Sequence, residues 1–504
     1  MCTVLTDISS NAATVRKSKV RKQSRDSTSQ IMSPPSSTET TTVALGRPDN
    51  HRASSIGSSD SSQFLLSTIQ NSKQAPSNIF GISKTHPFAN YWTCQGGLPE
   101  VLGVLPNKDQ ADILIAKYFE AVDPVYPMID KQQFYADYDS FWALSPAEKP
   151  EADAALIGLH FVVYAMGTQF IEMSSDKERQ QIAEFYASAA HQALRISSYL
   201  TRTSLTAVQA MVLICYFLMN DNKASDAWAF GGVLMRQAYA IGLNRNPEVS
   251  MPHASAREKQ QRRKVWQAVY FQDTFLTVLL KLPPTATFSD NLVEGLLDDP
   301  EDTPPCTIGG VVCTYPQSSN PMSICNIAPT TPSSPGPSVV LRMDVAYIRS
   351  MWLLANTVQP SICTPRALNN PLTTSPRDKA NLISSFRNFY ASLPSSFTLS
   401  NHTKFALFAA ENPRVARQNL FLRSNYWHAF MLVLADESIS AGVRCDVHGA
   451  VEAGRVAIGA FFDIWQNFRA DAGVWWVFQH RAFEEAVSHI SNPRLSLARM
   501  HMTD

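Results

Sequence analysis

Apolar positions recur at spacings of three and four along most of this chain, whereas strictly alternating runs are nearly absent. The first pattern marks helices that bury one face and the second marks strands, so the chain reads as all-α. The spacing predicts helices over 109–121, over a stretch after Asp130 that carries Phe134, Tyr138, Phe141 and Trp142, and over 152–170, 177–199, 205–219, 228–241 and 255–281. After a gap it predicts five more, at 339–358, 377–393, 414–436, 450–468 and 474–490. No Asn-Gly or Asp-Gly turn lies between alternating runs, and no fixed-period repeat recurs.

Local signals set the ends of several helices. Asp123 precedes Pro124, which pushes it out of helical geometry, and an extended connector with Pro124 and Pro127 leads to Asp130, a side chain suited to cap the next helix. Thr203 or Ser204 is placed to cap 205–219, and Gly242 sits where a helix C-terminus favours glycine. Residues 247–254 read as a loop, Pro283-Pro284 as the end of the following helix, and Pro413 as a first-turn proline.

The gaps in the pattern divide the chain. Residues 1–83 are rich in Ser, Thr and Asn and read as a disordered tail. Residues 84–297 form the first part of a multi-helix layered domain, 298–338 a long Pro/Ser-rich disordered insertion, 339–495 the second part of the domain, and 496–504 a tail. Within the first tail, Arg16, Lys17, Lys19, Arg21, Lys22 and Arg25 make a basic run with no anion, fit for nuclear import or for contact with phosphates. A solvated, solubilising tail is the plainer reading of the same run.

Composition narrows the class. The 43 cations balance 43 anions, so the whole chain is not an electrostatic glove for nucleic acid. Apolar residues are 45% of the chain, and 26 Phe with 9 Trp suffice for a sizeable core. Eight cysteines are scattered without a framework, as in a reduced intracellular protein. The N-terminus lacks a signal-peptide core and no apolar run reaches about 20 residues, so no membrane partner is expected.

Motifs for catalysis are sparse. Asp298-Asp299-Pro300-Glu301-Asp302 matches an Asp-Asp-x-x-Asp pattern that can hold a divalent metal, but Pro300 and Pro304-Pro305 break the helix that would aim the carboxylates. An acidic loop is the better reading. Cys306, Cys313 and Cys325 lack the paired spacing of structural zinc. None of the common hydrolase, phosphate-loop or dinucleotide motifs occurs, and His160 reads as a hydrogen-bonded core histidine. No metal ligand and no catalytic residue is assigned, and the chain reads as a non-enzyme. Arg262, Arg263, Trp266, Tyr270 and Asp273 share one predicted helix. Arg263 and Asp273 are too far apart to pair along it, so the reading is a structural polar seam with partners on neighbouring helices.

Four blocks resemble the fungal-specific transcription factor domain of fungal binuclear zinc-cluster regulators. They are Tyr118-Phe119 through Phe141-Trp142 with Tyr126-Pro127-Met128-Ile129, the 205–217 helix with Gln209-Ala210, Trp228 through Arg236-Gln237-Ala238 to Arg245, and Arg262-Arg263-Lys264-Val265-Trp266 with Tyr270, Asp273 and Leu282-Pro283-Pro284. The resemblance implies an all-α regulatory domain of a nuclear transcription regulator acting in RNA polymerase II transcription, with DNA, a second copy or related subunit, and co-regulators as partners. It makes Trp228, Arg262, Arg263, Trp266, Tyr270 and Asp273 a structural signature. Family members read DNA through a six-cysteine cluster holding two zinc ions. Only Cys2 precedes Cys94 here, so zinc is expected only with cysteines upstream, and DNA binding by these residues alone is not expected. The competing class is an all-α small-molecule binder or metal-dependent enzyme using 298–302.

Overall fold

Asn107 opens the first long helix by accepting the Gln110 amide at 2.9 Å, while the Gln110 side chain reaches back to the Asn107 amide, a reciprocal cap. The computed structural model describes residues 97–286, 307–308, 311–312 and 337–491. Its first set of helices is α1 (Leu98–Leu102), α2 (Lys108–Ala121), α3 (Lys131–Ala143), α4 (Ala154–Phe170), α5 (Asp176–Ile196), α6 (Leu205–Asn220), α7 (Ala224–Ala240), α8 (Pro247–Ser250) and α9 (Ala256–Leu280). Asp130, Ser175, Ser204 and Ser255 each accept an amide from the first turn of the helix that follows.

The architecture follows from where apolar surface is unbroken. In α4 and α6 nearly every side chain is buried, so each must be covered all round. α2 and α5 pack on α4, α7 packs on α6, and α9 closes on α6 and α7. Gly167 lets α2 and α4 approach: a Cβ there would sit 2.2 Å from the Leu114 carbonyl oxygen. Gly242, at φ 68°, ends α7 in the left-handed conformation that glycine adopts without a Cβ penalty.

The second set is α10 (Pro337–Val358), continued by a π-turn (Gln359–Cys363) into α11 (Thr364–Ala367), then α12 (Pro376–Ser392), α13 (Ser395–Thr398), α14 (His402–Glu411), α15 (Pro413–Ala435), α16 (Val447–Asn467), α17 (Arg469–Val474) and α18 (Trp476–Ser491). α15 packs on α16, and α16 on α18. The two sets share one core: α10 lies on α9 and α15, α18 touches α6, and Trp475 packs against both Phe170 and Phe421. Among the described residues the only strands are a two-residue pair, β1 (Thr307–Ile308) and β2 (Val311–Val312).

Several details differ from the sequence reading. The 247–254 stretch is not wholly loop, because Pro247 starts α8 at its first position, where a missing N–H costs nothing. α13 and α14 have too few turns to show a period, and the stretch 474–490 is broken at the buried Trp475. The end of α9 agrees with the reading of 255–281: the helix stops at Lys281, φ 56°, ahead of the proline pair. Residues 1–83, the acidic stretch 298–302, Cys306, Cys313, Cys325 and the tail 496–504 lie outside the described residues.

Candidate functional site

The connector between α2 and α3, residues 122–130, threads between the two helix sets and organises the centre of the domain. Tyr347 of α10 donates its hydroxyl to the Val125 carbonyl at 3.0 Å, and Gln261 of α9 donates to the Met128 carbonyl at 2.6 Å. Gln209 of α6 reaches the same Met128 oxygen at 3.4 Å. With Pro124 and Pro127 donating nothing, these side chains satisfy carbonyls that no helix could.

Charge ties down the start of the connector. The Arg414 guanidinium lies 2.7 Å from Asp123 and 2.8 Å from Asp344, and Gln418 donates to Asp344 at 2.6 Å. One cation thus serves two carboxylates. Burial pushes the Asp123 carboxyl up to about 6, with Asp344 adding to the rise and Arg414 opposing it. Further buried pairs fix α15: Arg417 with Asp471 at 2.6 Å, and Arg423 with Asp463, which His402 also contacts.

Two cavities flank Tyr126 and Phe271, which line both. The first is a small space of about 20 Å³, room for about one water, between α6, α9, α15 and α18. Arg481 lines it, 4% exposed, donating to Ser424 at 3.1 Å and to Asn425. Burial lowers this guanidinium to about 10. The second is a half-open cleft of about 30 Å³, room for a water or two, between α9, α10 and the connector. Lys264, Gln267, Ala268 and Phe271 line it from one face of α9, and Tyr347, Ile348, Met351 and Trp352 from α10. Gln267 is 3% exposed, yet neither atom of its carboxamide has a hydrogen-bond partner.

The residues singled out from the sequence fall in several places. Trp266 and Tyr270 are fully buried, the first against Tyr239 and the second against Trp352. Trp228 is half-buried on α7. Arg262 donates to the Ile241 carbonyl at the end of α7, and Arg263 pairs with Glu248 of α8 at 3.0 Å. Asp273 holds no helix: it accepts the Thr285 and Ala286 amides at 3.0 Å and so fixes the chain after α9. Burial raises its carboxyl while those amides oppose the rise. His160 is buried without a hydrogen bond, contrary to the reading of it. It sits among Phe134, Tyr138 and Phe141 at 5.4–5.8 Å, and burial drops its imidazole to about 3. The basic run 16–25 lies outside the described residues.

Sequence reasoning used Asp123 only as a helix stop and missed its ion pair with Arg414. Lys264 shows in the sequence only as one of a run of cations, and Gln267 belongs to no motif. The available signal was a lone amide inside the apolar turn Val265–Trp266–Gln267–Ala268–Val269.

Among the described residues no group of three or more His, Cys, Asp or Glu converges to hold a metal, and no helix is long and apolar enough to cross a membrane. The described cysteines Cys215, Cys363 and Cys445 are thiols that form no disulfide among the described residues. These residues do not fit a zinc cluster. What the geometry defines is a helical domain built around a pinned connector, with two small clefts beside Tyr126 and Phe271. Residues 115–305 match the model of the fungal specific transcription factor domain, and the chain carries that domain. Relatives include the Zn(2)-C6 fungal-type transcription factor mpsB of Macrophomina phaseolina, 28% identical over 36% of this chain and 25% of that protein. The sorbicillinoid biosynthetic cluster transcription factor 2 of Penicillium rubens is 28% identical over 36% of this chain and 28% of its own length. The equisetin cluster transcription factor eqxF of Fusarium heterosporum is 24% identical over the same shares. The chain therefore covers about a quarter of the length of these curated relatives.

Proposed function

We propose that this chain is a nuclear regulator of RNA polymerase II transcription whose helical domain controls activity through partner proteins. The observation that carries the reading is the domain match over 115–305, which includes the connector and all of α9. The relatives named for the sorbicillinoid and equisetin clusters support a narrower form: the regulated genes belong to a biosynthetic cluster. The basic run Arg16–Arg25 serves nuclear entry, and the chain acts as a homodimer or with a related subunit and co-regulators. DNA is reached through such partners or through a zinc-bearing segment joined to this one; among the described residues no group of cysteines or histidines converges to hold a metal. On this reading no residue of the chain is catalytic, and the acidic stretch 298–302 is not an active site.

Chromatin cross-linking of the tagged full chain tests the reading. Enrichment at a limited set of promoters supports it; recovery no better than an untagged control at every promoter contradicts it.

A further inference from the structure

Helix α16 carries two stripes of side chains at helical spacing, where a surface helix needs only one apolar face. The first, Ala450, Ala453, Ala457, Ala460 and Ile464, is buried, and its mostly small side chains let α15 and α18 pack close. The second recurs at steps of four and three on the outward face: Val451, Arg455, Ile458, Phe462 and Trp465. Phe462 is 52% exposed and Trp465 39%, while Val451 and Ile458 are half-buried. Two large aromatic side chains one turn apart on an outward helix face mark a surface that another protein surface covers.

The four-three spacing is that of the seam in a helix pair, so it fits another helix. The stripe is also complementary to its own reverse. With two copies laid antiparallel about an axis level with Ala460, Ile458 meets Phe462 of the second copy and Arg455 meets its Trp465. Apolar then faces apolar, and a guanidinium faces an aromatic ring. A parallel pairing would instead set Arg455 against Arg455, like charge on like. The flanking charges follow the same reversal. Glu452 pairs with Arg455 at 2.7 Å within one chain, on the exposed side of the helix. Arg469 lies 4.7 Å over the Trp465 ring and has no carboxylate partner among the described residues. Reversal brings Glu452 of one copy to Arg469 of the other, so that cation finds its anion across the axis.

We propose that the outward face of α16 is where two copies of this chain pair, antiparallel about a two-fold axis level with Ala460. The same patch serves on both copies, so the contact closes at two. Phe462 and Trp465 anchor it, and Glu452 with Arg469 sets its direction. This names the surface of the homodimer put forward above and rests on that part of the reading; it needs nothing from the choice of genes.

Sedimentation equilibrium of the purified full chain tests the pairing. The parent is expected to show a reversible monomer–dimer equilibrium. Phe462→Asp, a change at an exposed position, should raise its dissociation constant about thirtyfold or more. Arg469→Glu alone should weaken pairing about tenfold, and adding Glu452→Arg in the same chain should recover most of that loss. Thermal unfolding checks the fold of each variant; should Phe462→Asp not fold, the charge-reversed pair decides. A parent that stays monomeric at every concentration removes both the surface and the homodimer, and leaves this face to another protein or to a segment of the same chain. A dimer that Phe462→Asp leaves unchanged removes the surface alone. No recovery in the double variant overturns the antiparallel pairing. Promoter cross-linking, read separately, decides the transcriptional role whichever of these results is found.

Discussion

Asp123 and Arg414 are 291 residues apart in sequence and 2.7 Å apart in space. The contact joins the start of the connector to the first turn of α15, and Asp344 of α10 shares the same guanidinium. Burying a carboxylate costs several kcal/mol unless it is paired, and removing one partner of such a pair commonly costs 3–5 kcal/mol. The two halves of the domain are therefore held by electrostatics as well as by the Trp475 cluster.

That relationship makes stability depend on pH in a definite direction. The Asp123 carboxyl rises from 3.8 to about 6 on folding, chiefly through burial. Between those values the folded chain holds a proton that the unfolded chain has released, so this group's contribution falls as pH rises from 4 to 7. Asp123→Asn removes the titration. Measured by urea unfolding, the stability difference should move in favour of the variant by about 3 kcal/mol across that interval. Parallel curves for parent and variant would refute the assignment.

Gly167→Ala tests the close approach of α2 and α4. The added methyl would meet the Leu114 carbonyl at 2.2 Å, and backbone cannot swing aside as a side chain does. A loss of about 3 kcal/mol is expected, seen as a lower urea midpoint with an unchanged slope. An unaltered midpoint would mean the helices are farther apart than described.

For nuclear entry, replacing Arg16, Lys17, Lys19, Arg21, Lys22 and Arg25 by Ala in a fluorescent fusion should leave the protein in the cytoplasm. A nuclear signal equal to the parent's would remove the role given to this run.

Much of the fold is legible in the sequence because long helices repeat their pattern several times. α6 was read to within one residue of its end, since an unbroken apolar stretch bounded by Ser204 and Asn220-Asp221 admits little else. α8 and α13 were not read: each has four residues, and Pro247 and Pro394 look like breaks while serving helix starts. The site was less legible than the scaffold. Pairing between Asp123 and Arg414 leaves no local period, and Gln267 gains meaning only when α10 and the connector are seen to enclose it. Arg263 and Asp273 illustrate the same limit, because spacing excluded their mutual contact without naming Glu248 or the Thr285 amide as partners.

Regulation of transcription by this scaffold can be read out directly. The most direct measurement tethers the full chain to a heterologous DNA-binding module upstream of a reporter in a fungal host. The account predicts a change in reporter output of about fivefold or more over the module alone, and loss of that change in Arg414→Ala, which unfastens the connector. Output equal to the module alone, with the fusion present in the nucleus at matched abundance, would contradict it.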